Sequence, residues 1–205
     1  MIGIVDYGAG NLASVRNAFA RLDRQAAIIR QPGEIEGCDR IVLPGVGSFQ
    51  RAMATLHAGG WADPLRTFAR SGRPLLGVCL GMQLLFDCGD EHGPTAGLGL
   101  MAGRVTLMTP SAPLKVPHVG WNSLEHVREH PLFSGVKHHV DFYFVHSYHC
   151  LPSDPADVVA RCDYGGAFVA AVARANVAGT QFHPEKSQPS GLGILENFAA
   201  WDPTC

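Results

Sequence analysis

Cys79 stands between Gly77 and Gly81 in the stretch RPLLGVCLGMQLLFD, residues 73–87, a spacing that suits a nucleophile. Leu75, Leu76 and Val78 before it read as a short buried strand. Leu80, Gln83, Leu84 and Asp87 after it recur at helical spacing, so the thiol falls at a strand-to-helix corner. Such a corner holds its central side chain in a strained, exposed position and needs glycines where neighbouring backbone passes closely. The start of the following helix favours a thiolate, and the backbone N–H of Leu80 points to where an oxyanion would form. The competing reading is a core cysteine flanked by unrelated glycines.

A nucleophile needs a base, and the base needs an orienter. GTQFHPEKS, residues 179–187, carries His183 and Glu185 on either side of Pro184. In an extended segment, residues two apart project to one side, and the proline is expected to keep this segment extended. The Glu185 carboxylate then fixes the imidazole tautomer and stabilises the imidazolium. His-Pro-Glu alone fits a surface turn equally well; paired with the cysteine corner it points to acyl transfer.

Three other motifs carry less. Gly8-Ala9-Gly10-Asn11-Leu12-Ala13 fits a dinucleotide fingerprint, but no acid sits at the end of a second strand, since Glu34 lies in a Pro-Gly turn. His126-Val127-Arg128-Glu129-His130 spells an inverted zinc-hydrolase pattern, yet Pro131 follows at once and the segment is too short for a buried helix. His138-His139 and the His146/His149 pair read as surface and strand residues, not ligands. No metal or organic cofactor is expected.

The elements that position these residues follow from periodicity. Apolar strands at 1–6, 26–30, 40–44 and 74–78 alternate with helices over 12–22, 49–58 and 61–70, the mark of a mostly parallel sheet covered on both faces. Strands in quick succession at 103–108, 139–147, 156–163, 167–173 and 176–182 predict antiparallel additions in the C-terminal half, closed by a helix over 191–201. Residues 88–98 read as an exposed loop. The expectation is one domain over 1–205, a three-layer α/β fold with a flavodoxin-like open mixed sheet flanked by helices.

Composition narrows the class further. With 16 basic and 18 acidic side chains the formal charge is −2, which advertises neither nucleic acid nor an anionic membrane. No apolar run reaches the roughly 18 residues of a spanning helix, and MIGIVDYG lacks the charged start of a signal peptide, so a cytoplasmic protein is expected. The six cysteines contain no CxxC unit and are expected to be free thiols. Cys38, Cys88, Cys150 and Cys162 read as small buried or half-buried residues, and Cys205 as frayed.

GVCLGMQ with a downstream FHPE resembles the class I glutamine amidotransferases, whose triad runs Cys-His-Glu in that chain order. Within the class, DYGAGNLASV (6–15), LPGVGSF (43–49), GLGLMAGRV (97–105), KVPHVGWN (115–122), YFVHSY (143–148) and GTQFHPEKS are similar to the glutaminase subunits of imidazole glycerol phosphate synthases. General members of the class lack the first block and KVPHVGWN. The family often has proline where Ala102 stands.

The resemblance implies Cys79, His183 and Glu185 as catalytic residues, with Leu80, Val46 and Gly47 forming the oxyanion site. Gly45, Gln83, Ser147 and Tyr148 would bind glutamine, Gln83 lying one helical turn after Cys79. Thiolate attack on the carboxamide would release ammonia and leave a thioester that water hydrolyses. Ammonia set free in water at neutral pH is protonated and lost as a nucleophile, so the site should open into another protein. The resemblance names that partner as a (βα)₈-barrel cyclase subunit of histidine biosynthesis, met through Asn11, Trp121 and Lys186. A glutaminase serving pyridoxal phosphate synthesis or another synthase, and a flavodoxin-like protein sensing oxidants through its corner cysteine, are the alternatives.

Overall fold

Uninterrupted apolar strands need cover on both faces, and the chain supplies it. In the computed structural model, which describes residues 1–203, β1 (Ile2–Val5), β3 (Arg40–Gly45) and β4 (Leu75–Cys79) are buried throughout except at Arg40. Together with β2 (Ala26–Ile29) and β14 (Val177–Thr180) they form a parallel block in the order β2-β1-β3-β4-β14. Successive residues of one strand feed two different cores. Ile41 and Leu43 pack with Phe49, Leu56, Leu65 and Phe68 of α2 (Phe49–Ala58) and α3 (Ala62–Arg70). Val42 packs instead with Val15 and Phe19 of α1 (Leu12–Ala20) and with Ile194, Leu195 and Phe198 of α5 (Gln188–Ala200). The result is the expected three layers.

The second half departs from one open sheet. β13 (Ala167–Arg174), β12 (Val158–Asp163) and β9 (Glu125–His126) extend the parallel block antiparallel, completing an eight-stranded sheet. β10 (Asp141–His146) pairs with β8 (His118–Ser123) in a separate antiparallel ribbon. β7 (Met101–Leu107) joins β11 (Tyr148–Pro152), β5 (Phe86–Gly89) and β6 (Thr95–Ala96) in a four-stranded sheet.

Two local expectations are corrected. The helix after Cys79, α4 (Leu80–Leu84), has five residues and ends before Asp87, which lies in β5 and accepts from Gly103 N–H at 2.9 Å. Every residue of α4 is buried, so its apolar run carried no face to distinguish helix from strand. Residues 88–98 are not a plain loop, because β5 and β6 pair antiparallel within them. The cysteines at 38, 150 and 162 are buried, Cys88 is half-buried, and all are free; Cys205 lies outside the described residues. No described helix is long and apolar enough to cross a membrane.

Candidate active site

At the carboxyl end of β4 the chain turns sharply. Cys79 has φ 56° and ψ −113°, a conformation that costs a non-glycine residue about 1–3 kcal/mol and persists only where its surroundings enforce it. The flanking glycines show what enforces it. A Cβ on Gly81 would lie 1.8 Å from Leu43 O, and one on Gly77 would lie 2.5 Å from Gly81 O. Helix α4 therefore runs against the backbone of β3, and in register Gly45 of β3 lies opposite Cys79. With only five residues α4 sums few peptide dipoles, so the expected support of the thiolate by a helix terminus is weak here.

His183 comes from a distant part of the chain and is held through both its backbone N–H and its C=O. Its N–H donates to Tyr143 O at 2.9 Å, and its C=O accepts from Ser187 Oγ at 2.6 Å. Ser187 Oγ accepts in turn from Tyr143 N–H. The imidazole Nδ1 lies 2.8 Å from Glu185 Oε1. The route to that contact corrects the expected extended segment: Pro184–Lys186 is a 3₁₀ turn whose N-cap is His183. Proline pre-sets φ for the first position of a helical turn, and so starts one.

Burial pulls the His183 pKa down, but hydrogen bonding and charge interaction with Cys79 and Glu185 outweigh it and raise it to about 9. Nε2 is buried and has no hydrogen-bond partner within the protein, so it is free to exchange a proton inside the site. Cys79 Sγ lies 3.9 Å from Val145 O and 3.9 Å from Gln181 Nε2.

A cavity of about 310 Å³ opens onto this group. Cys79, Leu80, Gln83 and His183 line it together with Val46, Gly47, Ser147 and Tyr148. Gly45 ends β3 beside Cys79 without lining the cavity. Gln83 is buried, with its Nε2 donating to Tyr148 O at 3.0 Å and to Gln181 Oε1 at 2.9 Å. Both amide protons are thus engaged, leaving the carbonyl oxygen as the acceptor for a ligand.

Beside the cavity, β8 and β10 present an apolar face. Val119 pairs with Val145 and Trp121 with Tyr143; Trp121 is 46% exposed. Lys186 Nζ lies 5.5 Å from the centre of the Tyr143 ring. Asn11 is exposed at the N-cap of α1, where its side chain accepts from Ser14 N–H, and α1 packs against the 183–186 turn.

The lesser motifs place as follows. The Glu34 carboxylate accepts from Arg30 and Gln31 N–H, both at 2.7 Å, and is occupied as a turn cap. His126 sits in β9 and His130 caps a 3₁₀ turn, so the HxxEH segment is not a helix. It borders a wider hollow of about 740 Å³ that holds none of the Cys79 group. Among the described residues no cluster of three or more His, Cys, Asp or Glu is placed to hold a metal ion. His138 and His139 are exposed, and His149 is half-buried in β11.

Three residues at the site, Gln181, Ser187 and Glu91, escaped the sequence reading, and a fourth, His146, was read only as a strand residue. Gln181 lies two residues before His183, and that spacing was the available signal. His146, expected as a strand residue, ends β10, is buried and also lines the cavity. Its Nδ1–H donates to Tyr148 O at 2.8 Å, so Nε2 accepts from His118 Nδ1–H at 3.2 Å. Burial holds His118 at about 4, and burial with neighbouring imidazoles holds His146 at about 3, so both are neutral. Ser187 fixes the His183 backbone. Glu91, in the supposed loop, reaches the cavity rim and accepts from Phe49 N–H.

Comparison with known proteins shows the family to which the chain belongs. The family described as glutamine amidotransferase class-I matches residues 3–200. The chain is 49% identical over 201 residues to an imidazole glycerol phosphate synthase subunit HisH of Desulfitobacterium hafniense, covering 98% of this chain and 94% of that one. The protein of the same name from Sulfurimonas denitrificans is 48% identical, with 98% of each chain covered. A crystal structure described as a glutamine amidotransferase superposes with TM-score 0.75 at 20% identity, over 98% of this chain and 99% of the other. A PurLQS structure from Thermotoga maritima gives TM-score 0.76 at 18% identity, covering 97% of each chain. These last two speak to the fold.

Proposed function

The chain belongs to the class-I glutamine amidotransferase family, and we propose that it is the glutaminase subunit of an imidazole glycerol phosphate synthase, with residues 1–205 acting as one domain. The observation that carries the reading is the strained Cys79, which lines one cavity with His183 while Glu185 holds the far side of the same ring. A redox-sensing cysteine needs no such relay.

Glutamine enters the cavity with its carboxamide carbon beside Cys79 Sγ. The thiolate adds to that carbon, and the oxygen becomes an oxyanion that Leu80 N–H and the Gly45–Gly47 turn stabilise. His183 gives its Nε2 proton to the departing ammonia as the C–N bond breaks, leaving a γ-glutamyl thioester on Cys79. Water then attacks the thioester, His183 Nε2 takes a proton from it, and glutamate leaves with the thiolate restored. Glu185 keeps Nδ1 protonated throughout. Gln83 Oε1 accepts from the substrate while Gln83 Nε2, through Gln181, keeps a donor on the sulfur. Ser147 and Tyr148 take the amino-acid end. Each step uses only groups of this chain and water.

Ammonia made here must leave without meeting bulk water. The apolar face of Val119, Trp121 and Val145, with Lys186 beside the Tyr143 ring, fits a protein partner, and exposed Asn11 is proposed to join that contact. Both relatives are named as subunits of a synthase. The partner proposed is the (βα)₈-barrel cyclase, in the cytoplasm, with neither nucleic acid nor membrane involved. Mixing the chain with that cyclase and measuring glutamate tests the reading: a complex with stimulated release supports it, and neither complex nor stimulation refutes it.

A further inference from the structure

Tyr7, just after β1, has a buried hydroxyl that bonds to nothing. The residue is 4% exposed and its Oη has no hydrogen-bond partner. An unpaired buried hydroxyl costs stability that phenylalanine at the same place would not, so its retention calls for a use. Its position supplies one. A Cβ on Gly45 would meet Tyr7 Oη at 2.6 Å, Gly81 N at 3.0 Å and Leu80 Cβ at 3.0 Å. The phenol therefore lies where the Gly45–Gly47 turn meets the start of α4, the two walls assigned above to the oxyanion. Tyr7 does not line the cavity, so the hydroxyl approaches the turn from the protein side. Burial, and next the charge of Cys79, raise its pKa, which keeps it a neutral donor.

The peptide between Gly45 and Val46 is planar, with its C=O and N–H pointing in opposite directions. A rotation that aims Val46 N–H into the cavity sends Gly45 C=O toward the protein side. Such a rotation changes ψ of Gly45 and φ of Val46, and Gly45, having no Cβ, tolerates the change. We propose that Tyr7 is a positioning residue for this turn: its hydroxyl donates to the Gly45 carbonyl when the peptide presents Val46 N–H to the reacting carboxamide. This inference rests on the glutaminase reading. In the resting arrangement the donor is idle, and in the reactive one it is satisfied.

The test is Tyr7→Phe in the complex with the cyclase, beside wild type and Cys79→Ala. The expected result is kcat for glutamate release lowered about tenfold, KM within about twofold, and a melting temperature equal to or above wild type, because an unsatisfied group has been removed. Unchanged kcat overturns the inference. So does a kcat loss accompanied by lower melting, by failure to fold or by a parallel rise in KM, each of which assigns the phenol to structure or substrate binding. If wild type releases glutamate, Cys79→Ala does not, and Tyr7→Phe matches wild type, only the role of Tyr7 falls. If wild type itself releases none, the glutaminase reading and this inference fall together.

Discussion

Glu185 Oε1 lies 2.8 Å from Nδ1 of His183 across a 3₁₀ turn that begins at the proline between them. Because both side chains are buried, the carboxylate interacts with the ring at low dielectric and leaves Nε2 free for the sulfur. Replacing Glu185 by glutamine keeps the shape but removes the charge that stabilises imidazolium. The expected result is a kcat loss of about 10- to 100-fold, from about 1.5–3 kcal/mol for a hydrogen bond to a charged group, with KM little changed. Steady-state glutamate release by Glu185→Gln in the complex checks it.

Stability should vary with pH on two flanks. His183 has a folded pKa of about 9 against 6.5 unfolded, so its contribution is fully present below about pH 6.5 and is lost as pH rises through about 9. His118, at about 4, and His146, at about 3, are depressed instead. Their contribution is present above about pH 6.5 and is lost as pH falls through about 4 and then 3. Urea midpoints measured across this range should peak near neutrality. In Cys79→Ala the alkaline decline should be smaller and complete at lower pH, since one cause of the raised His183 pKa is gone; an unchanged alkaline limb contradicts the coupling.

The Gly77 and Gly81 positions bear on the strained corner directly. Gly81→Ala places a methyl group 1.8 Å from Leu43 O, so something must move. We expect a loss of at least about 3 kcal/mol, or failure to fold. Gly33→Ala, whose Cβ would meet nothing within 4 Å, should lie within about 0.5 kcal/mol of wild type. Denaturant melts of the two variants provide the comparison.

The parallel half of the fold was legible because a strand buried on both faces is written as a continuous apolar run, as in β1, β3 and β4. The same rule failed after Cys79, where Leu84, Leu85 and Phe86 are all buried and periodicity says nothing about where helix ends and strand begins. β8 and β11 were missed because HVGWNS is mostly polar or glycine and YHCLP ends in proline; neither resembles a strand until its partner is known. Cys79, His183 and Glu185 stood out by residue type and local spacing. Gln181 accepts from Gln83 of α4, His146 donates to Tyr148 of β11, and Ser187 joins Tyr143 of β10 to His183, proximities the linear order does not display.

Trp121 offers a test of the partner surface. At 46% exposure it is not the core tryptophan that composition alone would allow. Trp121→Ala should therefore leave the melting temperature of the isolated chain nearly unchanged, within about 0.5 kcal/mol in stability. Affinity for the cyclase should fall by about 2 kcal/mol, about 30-fold, as for a packed aromatic anchor. Titration calorimetry with the cyclase and a melt of the free chain give the two numbers.

The central claim is that the sulfur of Cys79 carries the γ-glutamyl group between two steps both served by His183. Acid-quenching the complex while it turns over glutamine labelled in its carbon chain, then digesting and mapping the label, reads that claim directly. The account predicts label on the peptide containing Cys79, removable by mild base or hydroxylamine, and none in Cys79→Ala. Turnover at the wild-type rate in Cys79→Ala, or label bound at another residue, would contradict it.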